Sequence, residues 1–386
     1  MQQEPNPPSK PSWTTHPPGL REMALLMEST WGDRLRLPRE TFDLDGSELE
    51  QAGQAARASE EVVLDLPFAR LLRFGLSTGP RTPVLVVAPM SGHSSAQLRD
   101  TVRGLLPHYD VLVTDWRDAL EVPLAEGGFG LDDYIDYLLR FMAVLGPDGH
   151  VLAICQSCVP VLAAVALLAE DAHPAQPRSL TLMAGPIDAR RNPSPVNHFA
   201  TGAPLDWFEQ QLISTVAPDK PGAGRRVYGG AMQIITSAGM ENRRRIASLS
   251  ASLLNPFQCW QAMLQLGNGM PAPQPVLDLT AEFYLDNLRD VFQQCALARD
   301  TMRHRGRPVR PQAIRDLTLL TVEAGSDEIC GVGQTQAAHD LCSGVDASRK
   351  FHVEAVGAGH RDVFSGEHWR EQVLPEVLKL MQNADA

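Results

Sequence analysis

The residues with the plainest chemistry lie in His150-Val151-Leu152-Ala153-Ile154-Cys155-Gln156-Ser157-Cys158-Val159-Pro160. An apolar strand pattern runs into Cys155, and an Ala-rich helix pattern leaves it. A nucleophile on a sharp strand-to-helix turn needs small residues two places before and after it, because the strained backbone presses those positions against their neighbours. Cys155 has Ala153 and Ser157 in those places. Ser157 would have Cys155 and the β-branched Val159, and Cys158 would have Gln156 and Pro160, so both fit less well. A thiol attacks as the thiolate, so it needs a base, and the base needs an acid to orient it. Asp327 follows the apolar run Leu317–Val322, and His360 follows Phe351–Val356. Glu323 and Glu328 stand beside Asp327 as alternative acids. One oxyanion donor is expected from the backbone N–H of Gln156, at the start of the helix. The other comes from the loop after an earlier strand, here Pro89-Met90-Ser91-Gly92-His93, with Met90 the expected donor. His93 reads either as a polar wall of the pocket or as a surface residue at a helix start.

Each of these residues has a bland reading. A cysteine at a buried strand end is usually inert packing, and a lone Asp or His in a loop is usually surface. The order Cys155, Asp327, His360, each after a strand, is what points to a catalytic triad, and it is the chain order of α/β-hydrolases. Cys155-Gln156-Ser157-Cys158 is also a C-x-x-C redox signature. Thioredoxin-like domains are much smaller, however, and would leave Asp327 and His360 unexplained.

The elements that must position these residues follow from the periodicity. Apolar runs at Val62–Leu66, Val84–Ala88, Val111–Thr114, Val151–Ile154, Leu180–Met183, Leu317–Val322 and Phe351–Val356 read as strands, several buried on both faces. Amphipathic segments at Ser94–Leu106, Leu131–Val144, Val159–Glu170, Gly333–Cys342 and Trp369–Met381 read as helices between them. The alternation predicts an α/β-hydrolase fold, a doubly wound, mainly parallel sheet. Residues 1–20 read as a disordered Pro-rich tail, followed by a helix over Leu20–Trp31 and a polar loop to about Ser59. Core would span residues 21–188 and 317–386. Residues 189–316, with helix-like stretches at Ala200–Val216 and Leu279–Cys295 and breaks at Pro218–Gly222 and Gly267–Pro275, would form a mainly helical cap over the carboxyl ends of the strands.

Composition excludes several classes. Of 386 residues, 44% are hydrophobic and 21% charged, an ordinary globular balance. A net charge of −12 argues against nucleic acid, which needs a concentrated basic face. The stretches Arg243–Arg245 and Arg303–Arg307 are short and read as solvated surface. Nothing approaches the ~20 apolar residues of a membrane span, and the first residues lack the pattern of a signal peptide, so a cytoplasmic location is expected. Six cysteines in such a chain do not make a disulfide framework. No metal-ligand or nucleotide-binding spacing is present, so neither metal nor cofactor is expected.

At these residues the chain resembles the intracellular polyhydroxyalkanoate (polyhydroxybutyrate) depolymerase family, α/β-hydrolases with a cysteine nucleophile. The resemblance is carried by Glu60–Leu64 with Pro67–Leu72, Ala88–His93, Asp115-Trp116-Arg117, and Cys155-Gln156 through Val159-Pro160. It continues through Gly185–Asp188, Asp278–Tyr284, Leu320–Glu323 with Asp327, Gly331–Thr335, and Gly359-His360 with Val363–Gly366. It implies a Cys155, Asp327, His360 triad hydrolysing 3-hydroxyalkanoate polyester in storage granules. The partner would then be a granule surface or 3-hydroxyalkanoate oligomers, with homo-oligomerisation left open. The chain departs from the family pattern in its Pro-rich start, around Gly267–Val276, and at Arg361-Asp362, where Tyr-Gly is usual. Cap aromatics Trp207, Phe208, Tyr228, Phe257, Trp260, Phe283 and Tyr284 could meet a polymer, although packing is the plainer role for each. Two rivals remain: an acyltransferase like the related polyester synthases, and a granule-bound structural protein with a degenerate site.

Overall fold

Runs of Val, Leu and Ile become strands because aliphatic side chains pack on both faces of a pleated sheet. The structure, a computed structural model, describes residues 19–26, 42, 44, 48–51, 54–77, 79–91, 95–245 and 276–385. Its strands are β1 (Glu48–Gln51), β2 (Gln54–Leu66), β3 (Ala69–Leu76), β4 (Pro83–Val87), β5 (Asp110–Trp116), β6 (His150–Ile154) and β7 (Ser179–Met183). They continue with β8 (Ser214–Thr215), β9 (Arg226–Tyr228), β10 (Leu279–Thr280), β11 (Arg303–His304), β12 (Arg307–Pro308), β13 (Thr318–Ala324) and β14 (Lys350–Ala355). Nine of them form one sheet in the order β1-β2-β3-β5-β4-β6-β7-β13-β14. Neighbours from β5 to β14 are parallel, while β1, β2 and β3 join antiparallel.

The described helices are α1 (residues 20–26), α2 (Arg99–Leu105), α3 (Leu131–Leu145), α4 (Cys158–Glu170), α5 (Pro195–Thr201), α6 (Leu205–Leu212), α7 (Gly230–Arg245), α8 (Ala281–Asn287), α9 (Ala338–Leu341), α10 (Gly366–His368) and α11 (Leu374–Asp385). Every residue of β5, β6 and β7 is buried, so helices must cover the sheet. α3 does so with one face, Tyr134, Ile135, Leu138, Phe141, Met142 and Leu145. The Ala-rich α4 is buried almost all round. This is the α/β-hydrolase fold. β5 and β6 flank β4 on opposite sides, so the winding reverses there, and the loops after β4 and β6 meet at the switch point where open α/β sheets bind ligands.

Several expectations need correction. The polar stretch before Ser59 is not a loop: it holds β1 and the start of β2, and β2 forms a long antiparallel hairpin with β3. Residues 57 and 59–61 of β2 are exposed, so only the later part of the strand, from Val62, carries an apolar run. The helix over Ala200–Val216 is broken, since Gly202 ends α5 and Pro204 starts α6. Over Gly333–Cys342 only Ala338–Leu341 is α-helical; Gly333 adopts φ +95°, outside the helical region, and the residues after it close mainly i→i+3 turns. The interval between β7 and β13, expected to be mainly helical, carries helices together with the small sheets β10-β9-β8 and β11-β12, which its expected composition does not exclude. The expected tail up to residue 18, the end of the first helix, His93, Phe257, Trp260 and Gly267–Pro275 lie outside the described residues.

The interval packs onto the chain leaving β5. Ala119 N–H donates to the Asp278 carbonyl (3.0 Å) and Gly222 N–H to that of Leu120 (2.8 Å). The buried Arg225 guanidinium donates to the carbonyls of Val122, Pro123 and Gly127 at 2.7–3.3 Å. The basic stretch Arg303–Arg307 is neutralised within the molecule: Arg305 pairs with Asp133 and Asp136, and Arg307 with Glu170 and Asp171. Among the described residues no helix is long and apolar enough to cross a membrane.

Candidate active site

Cys155 opens a short 3-10 turn directly after β6 and adopts φ +56°, the left-handed region that costs a non-glycine residue ~1–3 kcal/mol. Ser157 secures the turn. Its Oγ accepts from Ile154 N–H (2.9 Å) and donates to the carbonyl of Val87 (3.0 Å) or Ile154 (2.9 Å). Space is the other requirement. A Cβ on Gly185, after β7, would lie 2.3 Å from Cys158 Cβ and Sγ and 2.9 Å from the Cys155 carbonyl oxygen. Cys158 is fully buried beneath the turn, its thiol directed at the Ala153 and Met183 carbonyls, and burial raises its pKa well above the ordinary thiol value. Cys155 is the partly exposed sulfur. The five cysteines described are all free.

Asp327 lies in the turn after β13. One carboxylate oxygen accepts the Ile329 and Cys330 amides (2.8 and 2.9 Å), and the other accepts His360 Nδ1–H at 2.7 Å. With Nδ1 so engaged, Nε2 is the free ring nitrogen. It is buried, with no partner in hydrogen-bonding geometry, and the neighbouring Cys155 sulfur is the group that acts on it. Burial by itself would lower the imidazole pKa. The Cys155 charge, the Asp327 hydrogen bond and the looser contact with the sulfur outweigh it and push the pKa up to about 10.

The alternative acids have other surroundings. Glu323 is 2% exposed, but its oxygens accept the amides of Gly333 (2.8 Å), Thr335 (2.7 Å) and Gln336 (2.9 Å), so it caps that turn. Glu328 is exposed. Asp327 is the carboxylate bonded to His360.

The loop after β4 is pinned at both ends. Ala88 N–H donates to Thr114 Oγ1 (2.9 Å), and the Ala88 carbonyl accepts from Trp116 Nε1 (2.9 Å) and Tyr134 Oη (3.4 Å). Past Met90, Ser91 N–H donates to Gln156 Oε1 (3.1 Å), and Gln156 Nε2 donates to Ser91 Oγ (3.2 Å). The structure thus brings together Cys155, Asp327 and His360, and it ties the loop bearing Met90 to the residue after Cys155. Thr114, Trp116, Tyr134 and the Gln156 side chain were not singled out by sequence. The nearest signal was Trp116, inside a motif of the family resemblance. Of the aromatics considered for substrate contact, Phe208 and Phe283 are wholly buried. Tyr228 stacks on Tyr284 at 4.0 Å, and Trp207 sits edge-on to Phe208 at 5.1 Å, so those described pack within the molecule.

The family model described as PHB de-polymerase C-terminus matches residues 184–385. No curated protein matches this chain. Among solved structures, the chain is similar to a membrane phospholipase A described as a bacterial virulence factor, at 12% identity and a TM-score of 0.44, covering 95% of this chain and 98% of that one. A monoacylglycerol lipase of Paleococcus ferrophilus is 13% identical (TM-score 0.45; 82% and 99% covered). A hydrolase from Pseudomonas aeruginosa PA01 is also 13% identical (TM-score 0.45; 83% and 98% covered).

Proposed function

The chain belongs to the PHB de-polymerase C-terminus family, and from that premise we propose that it is a carboxylic-ester hydrolase acting on polyhydroxybutyrate or a related 3-hydroxyalkanoate polyester. In this reading Cys155 is the nucleophile, His360 the general base and acid, and Asp327 the group that orients it. The carrying observation is His360: Nδ1 is bonded to Asp327 at 2.7 Å, and the ring responds to the charge of a cysteine held at φ +56° on a strand-to-helix turn.

The raised imidazole pKa keeps a proton on His360 at neutral pH, beside the sulfur that must react as its thiolate. The thiolate attacks the ester carbonyl, and the Met90 and Gln156 amides take the developing oxyanion. As the tetrahedral intermediate collapses, the C–O bond breaks and His360 gives its proton to the departing alkoxide, leaving an acyl-thioester on Cys155. The sulfur is now uncharged, so the largest influence raising the His360 pKa is gone, while burial, which lowers it, remains. The neutral imidazole then takes a proton from water, which attacks the thioester and releases the hydroxy acid. One side chain therefore serves as acid in the first half-reaction and as base in the second. Residues 189–316, read as a cap, would border the mouth and set which polymer or oligomer enters.

The test compares wild type with Cys155→Ala for release of 3-hydroxybutyrate from amorphous polyhydroxybutyrate granules and for hydrolysis of p-nitrophenyl butyrate. Granule release that requires Cys155 supports the reading. Ester cleavage without granule release moves the substrate to small or oligomeric esters. No hydrolysis of either refutes it and favours acyl transfer.

A further inference from the structure

We infer that the Gln156 side chain is a positioning residue: it clamps the loop after β4 to the nucleophile turn and so fixes the Met90 N–H relative to the N–H of Gln156 itself. The inference rests on the reading of those two amides as the oxyanion donors. β4 ends at Val87, so Pro89 and Met90 lie beyond the ladder that holds the strand. Upstream of them, Ala88 is fixed from three sides, by Thr114, Trp116 and Tyr134. Downstream, Ser91 meets the Gln156 carboxamide through both of its polar atoms. A backbone N–H can only donate, so the Gln156 oxygen must face Ser91 N, and this leaves the amide nitrogen to donate to Ser91 Oγ. The carboxamide thus has one orientation, and neither end can turn without losing a bond. Gln156 also supplies a proposed donor from its own backbone, so one residue carries the first N–H and, through its side chain, sets the place of the second.

An oxyanion donor acts on the transition state far more than on the bound ester, because negative charge is present on the oxygen only there. Loss of a whole donor costs ~10²–10³ in rate, and a displacement of about 1 Å costs ~10². A released loop should therefore lower kcat and leave KM nearly unchanged.

The experiment measures kcat and KM for p-nitrophenyl butyrate in wild type, Gln156→Leu, Ser91→Ala, the double variant and Cys155→Ala, beside the rate of Cys155 alkylation by iodoacetamide. Alkylation needs the thiolate but no oxyanion hole. Gln156→Leu, similar in size without polar atoms, should lower kcat roughly 10- to 100-fold, with KM within about threefold and alkylation within about twofold of wild type. Ser91→Ala removes one of the two bonds and should lower kcat less. In the Gln156→Leu background it should have no further effect, since the clamp is already open. Unchanged kcat in Gln156→Leu, a parallel fall in alkylation, or additive effects in the double variant would overturn the inference. If Gln156→Leu does not fold, Ser91→Ala alone decides by the same split of kcat from KM. Hydrolysis retained by Cys155→Ala would instead overturn the underlying reading, a result distinguishable from failure of the clamp.

Discussion

Removing the sulfur charge is the sharpest perturbation of the proposed mechanism. His360 is buried, which by itself lowers an imidazole pKa, yet its pKa is pushed up to about 10, with the Cys155 charge the largest raising influence. Against an ordinary value near 6.5, that difference amounts to ~5 kcal/mol at about 1.4 kcal/mol per pH unit. Cys155→Ala, or alkylation of Cys155 by iodoacetamide, removes the charge and leaves burial opposed by Asp327 alone. The His360 pKa should then fall to within about one pH unit of 6.5. At pH 7 this would raise the neutral, base-competent fraction from ~10⁻³ to the order of one half, the change that deacylation requires. The assay is a titration of the histidine Hε1–Cε1 NMR correlations, with the His360 signal identified by its absence in His360→Gln. Thiolate absorbance near 240 nm reports the partner. The sign is fixed: a histidine whose folded pKa is raised keeps its proton as pH rises through 6.5 and loses it near 10, so activity that needs the charged pair should decline on that alkaline limb. A His360 signal titrating near 6.5 in the wild type would refute the charged pair. One that still titrates near 10 in Cys155→Ala would refute the sulfur as its cause.

The other predictions concern the acid, the turn and a half-buried carboxylate away from the triad. Asp327→Asn should lower kcat by ~10²–10⁴ at little cost in stability, whereas Glu323→Gln, which disturbs three buried amide bonds, should cost about 1–3 kcal/mol in urea unfolding; the reverse pattern would make Glu323 the acid. Gly185→Ala places its methyl 2.3 Å from Cys158 and should destabilise by about 1–3 kcal/mol and slow alkylation of Cys155; an alanine tolerated without loss would show that the turn is not tightly packed. Asp118, half-buried beside Asp278, has its pKa pushed up to about 8 by desolvation first and by the Asp278 charge second. A carboxyl protonated in the folded state and ionised in the unfolded one loses stability as pH rises from about 4 to about 8. Asp118→Asn keeps an acceptor for the Leu120 and Asp278 amides, so its stability should gain on wild type across that window, and a constant difference would refute the shift.

The grouping of Cys155, Asp327 and His360, the proposed triad, was legible because each follows an apolar strand and because the spacing of small residues around Cys155 records the tightness of its turn. The central strands were equally plain, since burial on both faces leaves an unbroken aliphatic run. The part of β2 before its apolar run was hidden by solvent: exposed strand positions accept Arg57, Ser59 and Glu60 as readily as a loop does. The helix expected from Gly333 failed for a different reason: Gly333 sits at φ +95°, outside the helical region, and regular helix is confined to Ala338–Leu341. The groups that fix the oxyanion loop were out of reach altogether. Thr114, Trp116, Tyr134 and Gln156 meet Ala88 or Ser91 across 26, 28, 46 and 65 residues of chain, and no local pattern encodes such pairings.

Those long-range bonds bear on why Cys155 can persist at φ +56°. Backbone strain of this kind survives only where the surroundings over-determine it, and here two networks grip the turn from opposite sides of β6. On the β4 side, Ser157 bonds the Val87 carbonyl and Gln156 bonds Ser91. On the β7 side, Gly185 lies against the Cys155 carbonyl and Cys158, and both its N–H and its C=O are bonded by Thr335 Oγ1 at 2.9 Å. The Thr335 N–H is held in turn by Glu323, at the end of the strand that delivers Asp327. Glu323 thus has a mechanical use: it couples the strand that leads to Asp327 to the turn that carries Cys155. Thr335→Val, which keeps volume but drops both bonds to Gly185, should raise the amide exchange rates of the turn at Gly185 and Gln156 before it affects Ala88 on the far side of β6. Simultaneous loosening of both sides would mean that the turn is held as one unit rather than by two independent grips.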